Sequence, residues 1–290
     1  MRKLLPILLL IALAAGAWLG SKKEPAPRIV GPLMKLHFID VGQGDCILIE
    51  SPDGKRMLVD TGEKEYADDV VDYLKSQHIS NLEFLALTHP HSDHIGGVPE
   101  ILQHFKVAYV LDNGYPHGSR TQERALQEIN NKKIPYLVAY AGQQYRLGKK
   151  IRVEVLSPPR KLFKNTSSDT NNNSLVMRIT FGNVSALLTG DIENEAESAL
   201  LERRINIESN ILKVAHHGSR DSTSIELLRQ VRPEYVVISV GKNNEFGHPH
   251  KATLRRLSPD KLGSKVFRTD RFGTITLKTD GKTIVAEVAK

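Results

Sequence analysis

The sequence predicts an α/β protein arranged as a four-layer sandwich, two packed sheets with helices on their outer faces, and three observations carry that expectation. The first apolar stretches after the N-terminal region follow one another as strands before any helical pattern starts. From Ala67 onward, strand-like and helical stretches alternate. Unusual polar residues recur just past the ends of the strand-like stretches, where open α/β sheets place their ligands.

Taken in order, apolar runs with strand character lie at residues 36–39, 46–49, 57–59, 84–87 and 107–111. More follow at 151–156, 175–181, 184–189, 211–214 and 235–240, and short ones close the chain at 273–278 and 283–288. Helical periodicity fits residues 67–77, 98–104, 121–131, 195–202 and 224–231. No internal repeat is visible. The Asn-, Ser- and Thr-rich tract 165–173 reads as a surface loop of the kind that often carries sites.

With 290 residues and 40% hydrophobic content the chain can bury a real core. Lys plus Arg number 40 against 33 for Asp plus Glu, a net charge of +7, and the pI near 9.3 favours anionic partners such as nucleic acid, phosphoesters or anionic lipid. The single cysteine, Cys46, excludes an internal disulfide and a Cys-based zinc site, and its apolar neighbours predict a buried, inert thiol. Arg2 and Lys3 precede an apolar run, residues 4–19, broken only by Pro6 and Gly16. Residues 1–20 therefore read as a signal peptide or an N-terminal membrane anchor, and the body is expected to be exported. Residues 21–33 read as a linker, and one folded domain is expected over 34–290.

The chemistry concentrates in Thr88-His-Pro-His-Ser-Asp-His-Ile-Gly-Gly97. Burying so many polar groups without partners would cost several kcal/mol, and a pair of divalent ions is the economical partner. His89 and His91 can converge on one ion, with Asp93 and His94 on a neighbouring one. Two ions about 3.5–4 Å apart can clamp a scissile phosphate and hold a hydroxide between them. A second piece, Leu187-Leu-Thr-Gly-Asp191, ends a strand in a carboxylate. Asp191 is either a helix N-cap or, beside the first motif, the bridge between the two ions. A third run, Ile211-Leu-Lys-Val-Ala-His-His-Gly-Ser219, supplies two more imidazoles. One of His216 and His217 completes the second ion's shell and the other faces substrate, while Ser219 is a candidate donor to an anion. Phe246-Gly-His-Pro-His250 is either a loop turn or a site for His248 as proton donor or phosphate contact. Asp60 is expected to hold a ligand imidazole by hydrogen bonding, and Asp40, Gln43 and Asp45 either do similar work or make turns. Lys213, Arg220, Lys242 and Lys251 are candidates to hold a phosphate backbone at the mouth.

The pattern His89-Pro-His91-Ser-Asp93-His94 resembles the signature of the metallo-β-lactamase superfamily, and within it the hydrolase domain of ComEC-type competence and DNA-uptake proteins, which also occurs as a free-standing exported form. The opening Phe38-Ile-Asp-Val-Gly-Gln-Gly-Asp45 supports that branch, together with Val59-Asp-Thr-Gly62, Asn172-Asn-Ser-Leu-Val176, Thr189-Gly-Asp191, His216-His-Gly-Ser219 and Gly247-His-Pro249. The similarity runs from about Met34 to the C-terminus. It implies an αββα sandwich and a dinuclear centre of Zn2+ or Mn2+. His89 and His91 would bind one ion, Asp93 and His94 the other, with Asp191 bridging, His217 completing the second site and His216 close to substrate. Many superfamily hydrolases carry a further histidine between the first cluster and the bridging aspartate; here that stretch is Asp169-Thr-Asn-Asn-Asn173, which makes Asn173 a candidate near the site and the first ion weaker or more manganese-like. A single N-terminal segment does not make a channel, so transport is not carried over.

These readings predict an exported metal-dependent phosphodiesterase or nuclease acting on DNA, with Asp93, His216 and His248 as catalytic candidates and the N-terminal segment as a possible membrane tether. The same metals could serve another substrate, in a phosphocholine-type esterase, a lactonase or a β-lactamase. A surface DNA-binding module without turnover is the reading of a different class, and salt-sensitive binding without cleavage would mark it.

Overall fold

Period-two alternation decides how the first strand sits. Met34, Leu36 and Phe38 are fully buried on one face, while His37 points the other way and meets the hydroxyl of Tyr73 at 2.8 Å. The computed structural model describes residues 29–290. The leader expected at 1–20 and residues 21–28 of the expected linker lie outside the described residues.

The strands begin with β1 (Met34–Phe38), β2 (Ile47–Glu50), β3 (Arg56–Val59), β4 (Asn81–Leu87) and β5 (Lys106–Asp112). They continue as β6 (Tyr136–Val138), β7 (Gln144–Leu147), β8 (Ile151–Ser157), β9 (Val176–Phe181) and β10 (Val184–Leu188). The last are β11 (Ile211–Lys213), β12 (Tyr235–Ile238), β13 (Lys265–Arg268), β14 (Ile275–Thr279) and β15 (Ile284–Val288). Two mixed sheets result, ordered β15-β14-β1-β2-β3-β4-β5-β6 and β13-β12-β11-β10-β9-β8-β7. Helices α1 (Ala67–Ser76), α2 (Ser92–Ile95), α3 (Val98–His104) and α4 (Arg120–Asn131) come from the first half, followed by a one-turn α5 (Asp169–Asn172). Helices α6 (Asn194–Glu202), α7 (Ile225–Val231) and α8 (Lys251–Arg256) come from the second half.

Three apolar layers hold these elements. Between the sheets, Leu36, Phe38 and Val59 join Met177, Ile179 and Val237. Outside the first sheet, Leu48, Leu58 and Leu85 pack with Val70 and Leu74 of α1, Ile101 of α3 and Ile129 of α4. Outside the second, Leu187, Leu212 and Val236 pack with Leu200 of α6 and Val231 of α7. The expected helix–sheet–sheet–helix sandwich is what forms.

Direction matters most for function. The β3–β4–β5 pairs are parallel, and β1 runs with them because β2 is antiparallel to both β1 and β3. In the other sheet β10, β11 and β12 are parallel. The segments at this edge meet across the sandwich: Leu175 N–H, just before the antiparallel β9, donates to the Thr88 carbonyl at 2.9 Å, and Gly241 N–H after β12 to Gln43 Oε1 at 3.1 Å.

Two expectations change. The tract 165–173 is not a surface loop throughout: Asn171, Asn172 and Asn173 are buried on and just after α5. Its amides replace water with protein partners: Asn171 Nδ2 donates to Glu193 Oε1 at 2.9 Å, and Asn172 Oδ1 accepts from Glu193 N–H at 3.0 Å and Ala196 N–H at 3.3 Å at the start of α6. Strands β6, β7 and β13 also exceed the predicted set: each is only three or four residues long and almost wholly half-buried or exposed, too short for a period to show. Phe38→Ala should lower the free energy of unfolding by about 3–5 kcal/mol, since the ring is enclosed by both sheets. Urea denaturation measures this, and a loss under about 1 kcal/mol would contradict the assigned layer.

Candidate metal centre

Leu87 closes β4 and the chain stays extended through His91, which caps the single turn α2. This puts His89 and His91 on the extended part and Asp93 and His94 on the turn. Gly44, at φ +132°, allows the approach that fixes this turn: a Cβ there would run into the Asp93 carbonyl, which accepts from Asp45 N–H at 3.1 Å. From the other sheet, Asp191 follows β10 and His217 lies in the 3-10 turn Ala215–Gly218 after β11.

Donor atoms from these loops converge. His217 Nε2 lies 3.2 Å from Asp93 Oδ2, 3.2 Å from Asp191 Oδ2 and 3.3 Å from His94 Nε2. His94 Nε2 lies 3.2 Å from Asp191 Oδ2 and 3.7 Å from Asp93 Oδ2. Ligands held ~2.0–2.1 Å from a tetrahedral ion sit about 3.3–3.4 Å apart, so these distances match the edges of one coordination tetrahedron. Next to it, His89 Nε2 and His91 Nδ1 face each other at 3.0 Å, and His89 Nε2 is 3.9 Å from the same Asp191 Oδ2. Facing imidazole nitrogens at such distances call for a cation or a proton between them. The donor set therefore fits two divalent ions sharing Asp191, with the fuller shell at Asp93, His94, Asp191 and His217.

The outer contacts aim these ligands. Asp60 Oδ2 takes the Nδ1 proton of His94 at 2.8 Å, and the same carboxylate accepts from Thr88 N–H at 2.7 Å and Thr88 Oγ1 at 2.6 Å. His217 Nδ1 donates to the Ser239 carbonyl at 3.0 Å. Each bond leaves the Nε2 lone pair for the centre. Backbone strain gathers here too: Asp60, His216 and His217 have φ of 57°, 49° and 51°. Such left-handed positions cost about 1–3 kcal/mol each and persist where surroundings over-determine them.

Lys213 corrects an expectation. It does not reach the mouth to hold phosphate but is fully buried, ion-paired with Asp45, 3.6 Å from Asp191 Oδ1, and donates to the Gly190 carbonyl at 3.2 Å. Asp45 Oδ1 and Asp191 Oδ1 are buried and accept no hydrogen bond. Lys213 is thus a resident cation behind the ligand cluster.

Burial and the charge on His94 hold the His89 imidazole well below its usual range, so it offers a lone pair. Burial also works against charge on His94 and His217, but Asp191 and the other carboxylates outweigh it; His94 is pushed well up and His217 to about 9. Burial raises Asp60, against its contacts with His94. For Asp93 and Asp191, the imidazoles (and Lys213 beside Asp191) outweigh burial and hold both carboxyls low.

The cluster opens into a cleft of about 1210 Å³ that His91, Asp93, Asp191, His216, His217 and His248 all line. Glu193 Oε1 lies 3.2 Å from His216 Nδ1, and the His248 ring is 5.3 Å from that of His216. Asn173 is not beside them: its Oδ1 accepts from Phe163 N–H at 2.8 Å, and its Nδ2 donates to the Phe163 and Asp169 carbonyls at 3.0 and 2.7 Å. Ser219 is buried outside the cleft lining, its carbonyl accepting from Thr253 Oγ1 at 2.7 Å. Asp40 lines a neighbouring cavity, with Lys290 Nζ 3.6 Å away. Sequence reasoning missed Glu193, and also His117, which lines the cleft with its ring 5.3 Å from that of His91. His117 stands alone in a loop, with no motif to mark it. Cys46 is buried as expected, and burial raises its thiol well above the usual range, reinforced by Asp60 and Asp45.

With His217 held at about 9, its imidazole carries a proton at neutral pH that must leave before Nε2 can bind an ion. His94, also pushed well up, must lose a proton too, so metal affinity should climb with pH from neutral through about 9. Calorimetry in buffers of different ionisation enthalpy should show proton release at neutral pH; heats independent of buffer would contradict this. Lys213→Met should destabilise the protein by about 3–5 kcal/mol, since it strands the buried Asp45 carboxylate. Asp45→Asn in the same chain should restore most of that loss in thermal melts.

The chain is 33% identical to the ComE operon protein 3 of Bacillus subtilis over 259 residues, 83% of this chain and 32% of that protein. It is 29% identical to the competence protein ComA of Neisseria gonorrhoeae over 243 residues, 81% of this chain and 31% of that one. The chain thus spans about a third of the length of these relatives. Among solved structures, the metallo-beta-lactamase fold protein YhfI of Bacillus subtilis superposes with a TM-score of 0.54 at 13% identity, covering 88% of this chain and all (100%) of that one, a likeness of fold. Residues 39–242 match the family directly, and the chain belongs to the metallo-beta-lactamase superfamily of metallo-hydrolases.

Proposed function

We propose that this protein is an exported, metal-dependent phosphodiesterase that cleaves DNA. The observation that carries the reading is the position of Asp191 Oδ2, 3.2 Å from His94 and His217 and 3.9 Å from His89, one carboxylate oxygen between two ligand sets. A carboxylate oxygen so placed suits a pair of ions, and paired ions can clamp both the attacking and the leaving oxygen of a phosphoester. DNA as substrate is supported by the competence relative and by the basic balance of the chain, and export by the basic and apolar leader at residues 1–20.

Two divalent ions, Zn2+ or Mn2+, would supply Lewis acidity and an activated water when bound. His89, His91 and Asp191 would hold one, and Asp93, His94, Asp191 and His217 the other. The chain's own residues do the rest. Asp60 and Ser239 keep His94 and His217 in the tautomer that faces inward. His216, with Glu193 at its Nδ1, is the side chain placed to hand a proton to the leaving oxygen. Burial and the three neighbouring histidines hold His248 down to about 4, so near neutral pH it contacts a phosphoryl oxygen as an uncharged N–H donor. Asp93 is reserved for the second ion, its carboxyl ionised across the working range.

A metal-titrated assay on the whole chain tests the reading against plasmid DNA, bis-p-nitrophenyl phosphate and nitrocefin. DNA cleavage that needs added metal and disappears in Asp191→Ala is the expected result. His216→Ala should lower kcat by roughly 10²–10⁴ with metal content unchanged. Nitrocefin turnover without phosphodiester cleavage would replace this reading with that of a β-lactamase. Salt-sensitive DNA binding with no turnover would replace it with that of a binding module.

A further inference from the structure

The cleft lining combines carboxylates with an exposed aromatic ring. Glu63, Glu65, Asp68 and Glu245 line it together with Lys64. Phe246 has 56% of its surface exposed and stacks on His248 with ring centroids 5.7 Å apart at 26°. His248 in turn meets His250 at 4.8 Å, and His250 Nδ1 accepts from Arg220 N–H at 2.9 Å. The Arg220 and Lys251 side chains beside it are exposed. The loop that carries Phe246 is pinned at both ends by Asn244. Its Nδ2 donates to the Gly241 and His248 carbonyls at 2.9 and 2.6 Å, and its Oδ1 accepts from His248 N–H at 3.0 Å. The aromatic ring is therefore presented to the cleft by a fixed loop.

We infer that Phe246, His248, His250 and Arg220 form a shelf that binds single-stranded nucleic acid, one base stacking on Phe246 while the backbone crosses Arg220 and Lys251. The inference rests on the phosphodiesterase reading and adds the form of the strand. Stacking on an exposed ring needs a base free of its pair, which a single strand offers and a duplex does not. A duplex is stiff and carries charge along both strands, so the Glu63, Glu65, Asp68 and Glu245 carboxylates of the cleft disfavour it, whereas a flexible single strand can bend to follow Arg220 and Lys251. Phe246 also lies at the cleft that His216 and His248 line, so a stacked base leaves its own phosphate near the ligand cluster.

Fluorescence anisotropy on the whole protein, with chelator present so that nothing is cut, separates binding from turnover. The probes are a twelve-nucleotide oligothymidylate, the same length made of abasic residues, and the matching thymidine–adenine duplex. The wild-type protein should prefer the oligothymidylate to the abasic strand by about 5- to 150-fold, the range one stacked base supports. Phe246→Ala should abolish that preference, Phe246→Trp should keep it, and the duplex should bind more weakly than the single strand. Arg220→Gln should weaken all strands and reduce the salt slope by about one. Equal affinity of the wild-type protein for the base-bearing and abasic strands, an unchanged preference in Phe246→Ala, or tighter binding of the duplex would overturn the shelf. Cutting of DNA by the metal-loaded protein is read separately, so loss of the shelf and loss of the phosphodiesterase reading give different results.

Discussion

The rest of the structure is arranged around negative charge placed where water cannot reach it. Asp45, Asp60 and Asp191 are buried, Asp93 is mostly so, and all four carboxylates stand around His94 and His217. Isolated carboxylates in such a place are intolerable by many kcal/mol, so each must meet a cation, a proton or a hydrogen-bond donor. Among the described residues Lys213 is the fully buried ammonium, and it answers Asp45 and part of Asp191. Thr88 and His94 answer Asp60. What remains is the convergence of Asp93 and the inner oxygen of Asp191 on two imidazole nitrogens, and divalent ions are the counter-charge that this geometry fits.

That demand explains features that look like local defects. Three non-glycine residues take left-handed backbone at Asp60, His216 and His217, each at or beside a ligand. Strain of this kind is held by stiff surroundings: Ala215 N–H donates to Thr223 Oγ1 at 3.0 Å, His216 N–H to the Gly190 carbonyl at 3.2 Å, and Glu197 caps the segment behind them through Ser224 N–H at 2.9 Å. The parallel strands supply the stiffness. β10, β11 and β12 end side by side, so three consecutive loops start from one rigid edge. Site precision is thus a property of the sheet, and the helices outside it supply the apolar cover.

Much of this was legible in the sequence because the strongest signals are dense and local. Six polar residues in ten around His89, and two histidines directly after an apolar run, announce a centre whatever the fold. The helices at 67–76 and 98–104 were readable for the same reason, since their buried faces repeat every three to four residues. What stayed hidden depends on distance through space. Lys213 reads as a surface cation, since nothing next to it in sequence shows that Asp45, far earlier in the chain, is its partner. Asn173 occupies the place where a ligand would be sought, yet its amide is spent on the backbone of residues 163 and 169, a use that composition cannot disclose. The tract around it looked solvated for the same reason: polar residues signal a surface unless their partners are known.

The commitment of Asn173 has a chemical consequence. The site at Asp93, His94, Asp191 and His217 has four donors within coordination distance of one another, while the neighbouring place has His89, His91 and a share in Asp191. The two positions cannot be equivalent. A four-donor set with its tautomers fixed by Asp60 and Ser239 would hold an ion firmly, and the three donors of the neighbouring place would hold one less firmly. On the proposed phosphodiesterase reading, that weaker place would be the one to admit a phosphoryl oxygen without first displacing a side chain, as catalytic sites with an unfilled ligand position do. On this reading, the histidine missing between the first cluster and Asp191 is no sign of decay. It would move affinity from the resting centre to the complex with substrate, where differential binding accelerates a reaction.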